Sequence, residues 1–163
     1  MTTQRTVLLG LALAEIAHLT DLLEQFAELV GEGADDPAVQ RLTPDAYPDD
    51  AAATDEFRRL TSGDLLRRRT ADAAVVLASL RVDGQRVDLR SLDEHAAMRE
   101  VTLVLAPDEA AAWLRTLSAT RLVLASRLGI AGEDHEPDPR DPLVGVYEWL
   151  GFRLETLIRA LDE

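Results

Sequence analysis

The sequence contains no cysteine and no lysine. Without cysteine, the protein can form no disulfide and no thiolate zinc site, and it has no thiol to act as a nucleophile or redox sensor. Without lysine, it has neither a Schiff-base amine nor the lysine of a phosphate-binding P-loop. All 17 basic residues are therefore arginine.

Long apolar runs are also missing. A transmembrane helix needs ~20 consecutive apolar residues, whereas the run from Val7 to Ala14 is followed at once by Glu15. A secretory signal is the alternative for this run, but its apolar residues continue beyond Glu15 at helical spacing. We expect a soluble cytoplasmic protein with no membrane partner.

Basic charge is scarce relative to acidic charge. The chain has 30 acidic residues and a formal net charge of -13, so its overall field disfavours binding to nucleic acid or to anionic membranes. The stretch from Asp49 to Arg90 is an exception, because its acidic and arginine residues balance. A chain of 163 residues is long enough to bury a core without staples, so we expect one helical domain over residues 1–163.

Apolar periodicity predicts a mainly α fold. The segment from Ala111 to Gly129 has an apolar stripe within an arc about 100° wide, as a core-facing helix requires. The stripe consists of Trp113, Leu114, Leu117, Leu124 and Leu128. Leu122 and Val123 lie off this arc, so the helix is apolar on more than one side and should be central. We predict a single-domain bundle of about five helices packed around this central helix. Period-two alternation instead predicts strands at Val7 to Leu11 and at Val101 to Leu105, which should pair because neither strand is stable alone.

The two predicted strands lie in segments that resemble each other at a spacing of 94 residues. Leu9 corresponds to Leu103, and Glu15 corresponds to Glu109 at the start of the helix that follows each strand. The alternative is chance similarity between two leucine-rich amphipathic segments.

A helix-turn-helix is predicted in the middle of the chain. The sequence Thr-Ser-Gly-Asp at Thr61 to Asp64 favours a break, which would divide the segment from Asp50 to about Leu80 into two helices. Arg67 and Arg68 would be exposed just after that turn, as in a DNA-binding motif. The second helix offers little polar chemistry for reading bases, so DNA binding is the alternative function and not the leading one.

Several arginines occupy positions that should face inward, notably Arg69 and Arg121. A guanidinium keeps its charge, so it must be paired or must reach solvent. In one interpretation these arginines pair with carboxylates, with Asp55 or Glu56 as the first partner of Arg121. In the other interpretation, some of them converge on a pocket for an anionic ligand or an acidic partner segment. The candidate residues are Asp55, Glu56, Arg58, Arg59, Arg69, Arg121 and Arg127.

The last predicted helix, Pro142 to Leu161, carries two aromatic residues outside its apolar stripe. Trp149 and Phe152 should therefore need cover from another chain or from a neighbouring segment. We predict a homodimer through this surface, and Arg153 could lie across Trp149. The alternative is that the connector at residues 81–98 or the strand pair folds over both rings.

Catalytic and metal-binding motifs are not recognisable. The chain has no G-x-S-x-G, no Gly-rich phosphate loop and no H-E-x-x-H, so we do not expect an enzyme. The acidic, proline-containing loop predicted at residues 131–141 lacks fixed ligand spacing, and we predict no metal and no cofactor. The residues considered there are His135, Glu136, Asp138 and Asp141.

Five short motifs together resemble the actinobacterial domain-of-unknown-function family 2017, over nearly the whole chain. They are P-D-A-Y-P-D-D at Pro44 to Asp50, D-E-F-R-R-L-T at Asp55 to Thr61, A-W-L at Ala112 to Leu114, R-L-V-L-A-S-R-L-G at Arg121 to Gly129 and Y-E-W-L-G at Tyr147 to Gly151.

The resemblance implies no common activity, but some relatives are associated with oxidative-stress transcriptional regulation through a cysteine pair. That sensing chemistry cannot transfer to a chain without cysteine. Relatives often carry Asn-Asp before the equivalent of Arg121, where this chain has Ala119 and Thr120, which removes that carboxylate. We expect a non-enzymatic regulatory or adaptor-like protein that acts through protein-protein contacts in stress-responsive transcription.

Overall fold

Two strands and four long helices make up most of the described chain. The computed structural model describes residues 5–33, 35–42, 49–130 and 136–163, with all their side chains except those of Thr54 and Arg58. The elements are β1 (Val7–Ala12), α1 (Leu13–Glu32), α2 (Pro37–Gln40), α3 (Ala51–Ser79), a 3-10 turn (Leu89–Ser91), α4 (Glu94–Ala97), β2 (Glu100–Leu105), α5 (Pro107–Arg127) and α6 (Pro142–Asp162). The predicted mainly α fold with one small sheet is confirmed.

The two strands pair antiparallel, as predicted. Leu9 lies opposite Leu103, and Val7 lies opposite Leu105. At the 94-residue spacing, Leu9 corresponds to Leu103, Val7 to Val101 and Leu11 to Leu105. Val7 pairs with Leu105 and Leu11 pairs with Val101, so the register has two-fold symmetry about the Leu9–Leu103 pair. Residues on one face are buried while Leu8 and Val104 on the other face stay exposed, which is the alternation of a sheet packed on one side.

The same cap starts the helix that follows each strand. The backbone N–H of Ala12 donates to Glu15 Oε2 at 2.9 Å, and that of Ala106 donates to Glu109 Oε2 at 2.8 Å. In both helices the glutamate is the third helical residue, where its carboxylate also interacts favourably with the positive end of the helix dipole. The two segments that resemble each other at a spacing of 94 residues therefore form the same strand-cap-helix unit.

α5 occupies the centre, as predicted, and contacts α2, α3 and α6. Its Trp113 is 1% exposed, and the Trp113 indole Nε1–H donates to Ser79 Oγ of α3 at 2.8 Å, so the buried ring keeps a polar partner. α3 contacts α1 as well as α5 and thus lies between the two helices that the strands introduce. The core includes Leu23, Val76 and Leu117 from these three helices.

The predicted break at Thr61 to Asp64 is wrong, because α3 is continuous from Ala51 to Ser79. The Thr61 hydroxyl donates to the Phe57 carbonyl oxygen at 2.8 Å, one turn earlier, and Asp64 forms an ion pair with Arg67 within the helix. A single glycine costs a helix only about 1 kcal/mol, which these contacts and the packing of α3 offset. The basis for a helix-turn-helix is therefore absent from this segment.

Across the described ranges, no helix has both the length and the apolar character required to cross a membrane.

The continuity of α3 is testable at Gly63, because a methyl group there would meet only Arg67 Nη1, at 3.8 Å. We expect Gly63→Ala to raise the free energy of unfolding by about 0.5 to 1 kcal/mol, since alanine favours helix. Urea denaturation followed by circular dichroism measures this change. Gly84→Ala is the control, because Gly84 has a φ of +75° and alanine there should destabilise the protein. A destabilising Gly63→Ala would contradict a continuous helix.

Candidate functional site

An arginine-lined groove runs along one face of α5. Its first cavity, of about 350 Å³, lies between α3 and α5, and its second, of about 210 Å³, lies between α5 and α6. Ser118 and Leu122 line both cavities, so the two are adjacent. The residues of this arginine groove are Leu42, Arg69, Leu114, Arg115, Ser118, Ala119, Arg121, Leu122, Ala125, Tyr147 and Leu154.

Arg115 is the paired arginine of the groove. Its Nε and Nη2 donate to Asp72 Oδ2 and Oδ1 at 2.8 and 2.9 Å, which is the bidentate geometry that suits a guanidinium and a carboxylate. The hydrogen bonds from Arg115 lower the pKa of Asp72, and the nearby charge of Arg69 contributes to the same shift. Asp72 therefore stays ionised and balances one of the two arginine charges beside it.

Arg69 has no such carboxylate partner in the part of the chain that the structure describes. Its side chain is half-buried, and its Nε is buried without a hydrogen bond among the described residues. Buried polar groups are normally hydrogen-bonded, and an unpaired group costs about 1 to 3 kcal/mol or more when it is charged. Both carboxylate oxygens of Asp72 accept hydrogen bonds from Arg115. Among the described residues, the first cavity therefore has an excess of positive charge beside the apolar walls of Leu42 and Leu114.

Arg121 makes its contacts with α6, which corrects the predicted pair with Asp55 or Glu56. Its Nε donates to the Tyr147 carbonyl oxygen at 3.2 Å, and its guanidinium carbon lies 3.9 Å from the centroid of the Tyr147 ring. A methyl group at Gly151 would lie 3.0 Å from Arg121 Nη2, so this glycine permits the close approach. Arg121 is half-buried and is stabilised by a cation–π contact, without a carboxylate partner in the described chain.

The other candidates do not join the groove. Asp55, Glu56 and Arg59 are exposed near the N-terminal end of α3, whereas the side chain of Arg58 lies outside the described part of the structure. Arg127 Nη2 donates to Asp36 Oδ2 at 2.9 Å and ties the end of α5 to the start of α2. Of the predicted residues whose side chains are described, Arg69 and Arg121 line the groove.

The three interface candidates on α6 lie in different surroundings. Trp149 Nε1 donates to Glu15 Oε1 at 3.1 Å, and Arg153 forms an ion pair with Glu15 while its Nη1 donates to the Gly10 carbonyl oxygen at 3.3 Å. These contacts fix α6 against β1 and α1, and they give the Trp149 indole a hydrogen-bond partner within its own chain. The role of Trp149 and Arg153 in an interface stays a prediction. Phe152 is 58% exposed.

Glu15 consequently caps α1 and holds α6 against it. Burial works to raise the pKa of its carboxyl group, but hydrogen bonds from Arg153, from the Ala12 backbone and from Trp149 outweigh burial and lower that pKa below its usual value. Glu109 makes the equivalent cap without an arginine partner in the described ranges. The two strand-helix units therefore differ at their caps, because Glu15 also holds α6 through Arg153 and Trp149.

The acidic loop residues have local roles where they are described. Asp141 caps α6 by accepting from the Leu143 backbone N–H at 2.9 Å, and Asp138 pairs with Arg140. His135 lies outside the described residues. Within the described ranges, no three histidine or acidic side chains form a group that could hold a metal ion.

The sequence did not single out Arg115, Ser118 or Asp72. Arg115, Ser118 and Leu122 recur at spacings of three and four residues, which places them on one helix face, so the pattern could have indicated this surface. It could not show that Asp72 of α3 neutralises Arg115 and leaves Arg69 unpaired.

Comparison with protein-family models matches residues 1–161 to the model described as Domain of unknown function (DUF2017). No curated protein and no solved structure matches the chain.

The two capping glutamates provide a matched pH test. Because the pKa of Glu15 is lowered in the folded state, its contribution to stability is present above the unfolded-state value of 4.5 and is lost as pH falls through the folded pKa. We expect Glu15→Gln to keep the cap but to lower the free energy of unfolding at pH 7 by about 1 to 3 kcal/mol. From pH ~5 to ~3, the wild type should lose more stability than this variant.

Glu109→Gln is the control for that measurement, since it removes the equivalent capping carboxylate, which has no arginine partner in the described ranges. We expect it to change stability at pH 7 by no more than about 0.5 kcal/mol. Urea denaturation at a series of pH values gives both curves, and equal losses in the two variants would contradict the role assigned to Glu15.

The homodimer stays a prediction, and Phe152 is the most exposed of its three interface candidates on α6. An exposed phenylalanine is typical of an interface, so we expect a dimer at micromolar concentration that dissociates in Phe152→Ser. Sedimentation velocity measures the change. Arg159→Ser is the control on the same helix, and a monomeric wild type would rule out the dimer at that concentration.

Proposed function

Because the chain belongs to the family described as Domain of unknown function (DUF2017), a description that assigns no activity, we propose its function from the arginine groove. The protein is a non-enzymatic regulatory or adaptor-like protein that acts through protein-protein contacts, and its groove binds an acidic segment of a partner. The link to stress-responsive transcription that the resemblance implies would then operate through that partner in the cytoplasm.

The Nε of Arg69, which is buried without a hydrogen bond among the described residues, is the observation that carries this proposal. A half-buried guanidinium whose Nε lacks a hydrogen bond gains most from a carboxylate that enters the cavity from outside. The formal charge of the whole chain is -13, so an isolated positive cavity is the place where an acidic segment meets attraction instead of repulsion.

The other residues of the arginine groove indicate which kind of partner segment would fit. Arg69 lines the first cavity and Arg121 lines the second, while the Ser118 hydroxyl lies where the two adjoin. Leu114 and Leu122 provide apolar walls beside these polar groups. A partner segment with acidic residues on either side of an apolar residue would satisfy both features, since apolar contact and charge-assisted hydrogen bonds act together at protein interfaces.

The structure offers no specific observation in favour of the second candidate, DNA binding. That prediction depended on a turn at Thr61 to Asp64, where α3 is helical. Duplex DNA is therefore included in the test as a competing ligand.

We expect the arginine groove to bind a fluorescent synthetic peptide in which glutamate and leucine alternate, and to bind its glutamine counterpart weakly. Arg69→Met should reduce affinity for the acidic peptide about tenfold or more, because one charge-assisted hydrogen bond contributes about 1.5 to 3 kcal/mol. Fluorescence anisotropy at increasing salt measures the affinity, which should fall as salt screens the charges.

Arg159→Met is the matched control, since Arg159 is an exposed arginine of α6 that pairs with Glu155 and lies outside the groove. Equal affinity for the two peptides, an unchanged affinity in Arg69→Met, or tighter salt-dependent binding of duplex DNA would each contradict the proposal. Affinity purification from the native host with wild-type, Arg69→Met and Arg159→Met proteins would then identify the partner as the protein that only Arg69→Met fails to capture.

A further inference from the structure

A second groove lies on the other side of α6, between that helix and α1. Its volume is about 710 Å³, and it is open to solvent. Its walls include Leu22 of α1 and Leu143, Val146 and Trp149 of α6. We call this surface the acidic groove, because the charged residues that line it, Glu15 and Asp21, are both acidic.

The apolar wall of the acidic groove is held in place by the core. Leu22, Leu143 and Val146 are half-buried and pack against the main core cluster, so their exposed sides form a fixed surface. The Trp149 ring is oriented by the hydrogen bond from its Nε1 to Glu15 Oε1. A fixed apolar surface loses little conformational entropy when a partner covers it.

The charge around this groove is negative. α1 contains no arginine, and its five acidic residues are Glu15, Asp21, Glu24, Glu28 and Glu32. Arg153, which pairs with Glu15, is only 16% exposed, and Arg86 alone serves both Asp21 and Glu24. The five carboxylates of α1 therefore outnumber the two arginines that pair with them in the described structure. This negative excess on the helix that forms one side of the groove attracts a basic partner.

The groove favours a helix over an extended peptide. Both walls are helices, whose backbone groups are already hydrogen-bonded, so an extended segment would find no ladder to complete its own backbone. The α1 wall runs from Glu15 to Gln25, a length of about 15 Å at 1.5 Å per residue. That length accommodates about three turns of a partner helix with apolar residues at i, i+3, i+4 and i+7.

We propose that the acidic groove binds a basic amphipathic helix of a partner protein. Leucine-like side chains of that helix contact Leu22, Val146 and Trp149, while its arginine or lysine residues face Asp21 and the other carboxylates of α1. A second copy of this chain is disfavoured as the occupant, because its own charge of -13 would meet a surface of the same sign. The proposal does not depend on ligand binding in the arginine groove.

Tryptophan fluorescence can test this proposal, because the two tryptophans differ in exposure. Trp113 is 1% exposed and does not line the groove, whereas Trp149 does. The probe is a synthetic helical peptide with leucine at i, i+3, i+4 and i+7 and lysine elsewhere, and its counterpart carries glutamate in place of lysine. We expect a saturable blue shift with the lysine peptide and at least tenfold weaker binding of the glutamate peptide.

Three variants locate the binding. Val146→Arg places a bulky cation in the groove and should abolish the shift, whereas Ile158→Arg changes an exposed residue of the same helix (49% exposed) and should leave the shift intact. The double variant Asp21→Asn with Glu24→Gln leaves the α1 wall with an unpaired Arg86 and should weaken binding about threefold or more. This double variant keeps the proposal testable if Val146→Arg does not fold, as judged by circular dichroism.

Arg69→Met separates this proposal from the proposed function, because it should leave binding of the lysine peptide unchanged. Equal binding of the two peptides, no fluorescence change, or full binding by a folded Val146→Arg protein would each overturn the proposal. A wild-type dimer in sedimentation that becomes monomeric in Val146→Arg would overturn it too, because a second copy would then occupy the groove.

Discussion

The antiparallel pairing centred on Leu9 and Leu103 is the interaction on which the helical framework depends. It joins segments 94 residues apart, and each strand continues through a glutamate cap into α1 or α5. Because α3 contacts both of these helices, the strand pair determines where the third long helix can lie. A two-stranded sheet is marginal by itself, so the apolar residues on its inner face, packed into the helical core, must supply its stability.

α6 breaks the two-fold symmetry of this framework and contributes one wall to each groove. α6 is held by the ion pair of Arg153 with Glu15 and by the hydrogen bond that Trp149 donates to the same carboxylate. Arg153 also donates a hydrogen bond to the Gly10 carbonyl oxygen. On the α5 side, α6 contributes Tyr147 to the arginine groove, and on the α1 side it contributes Trp149 to the acidic groove. One helix thus lines both surfaces for which a partner is proposed.

The candidate site was only partly predictable from the sequence. The inward positions of Arg69 and Arg121 followed from helical periodicity, and both residues line the arginine groove. The proposed carboxylate partners, Asp55 and Glu56, were wrong. Because α3 is continuous, Asp55 lies about 21 Å along the helix from Arg69, at 1.5 Å per residue, and so lies away from the arginine groove. Tyr147 of α6, in contrast, lies directly against Arg121.

The sequence by itself determined the local structure and the excluded chemistry. Period-two and helical apolar patterns located both strands and the long helices except for the continuity of α3, and the absence of cysteine and lysine removed whole classes of reaction. Only the tertiary structure decided which charges are paired and which apolar residues are covered, as the unpaired Arg69 and the hydrogen-bonded Trp149 illustrate. The physical reason is that periodicity depends on neighbours three or four residues away, whereas ion pairs and grooves depend on distances between helices far apart in the chain.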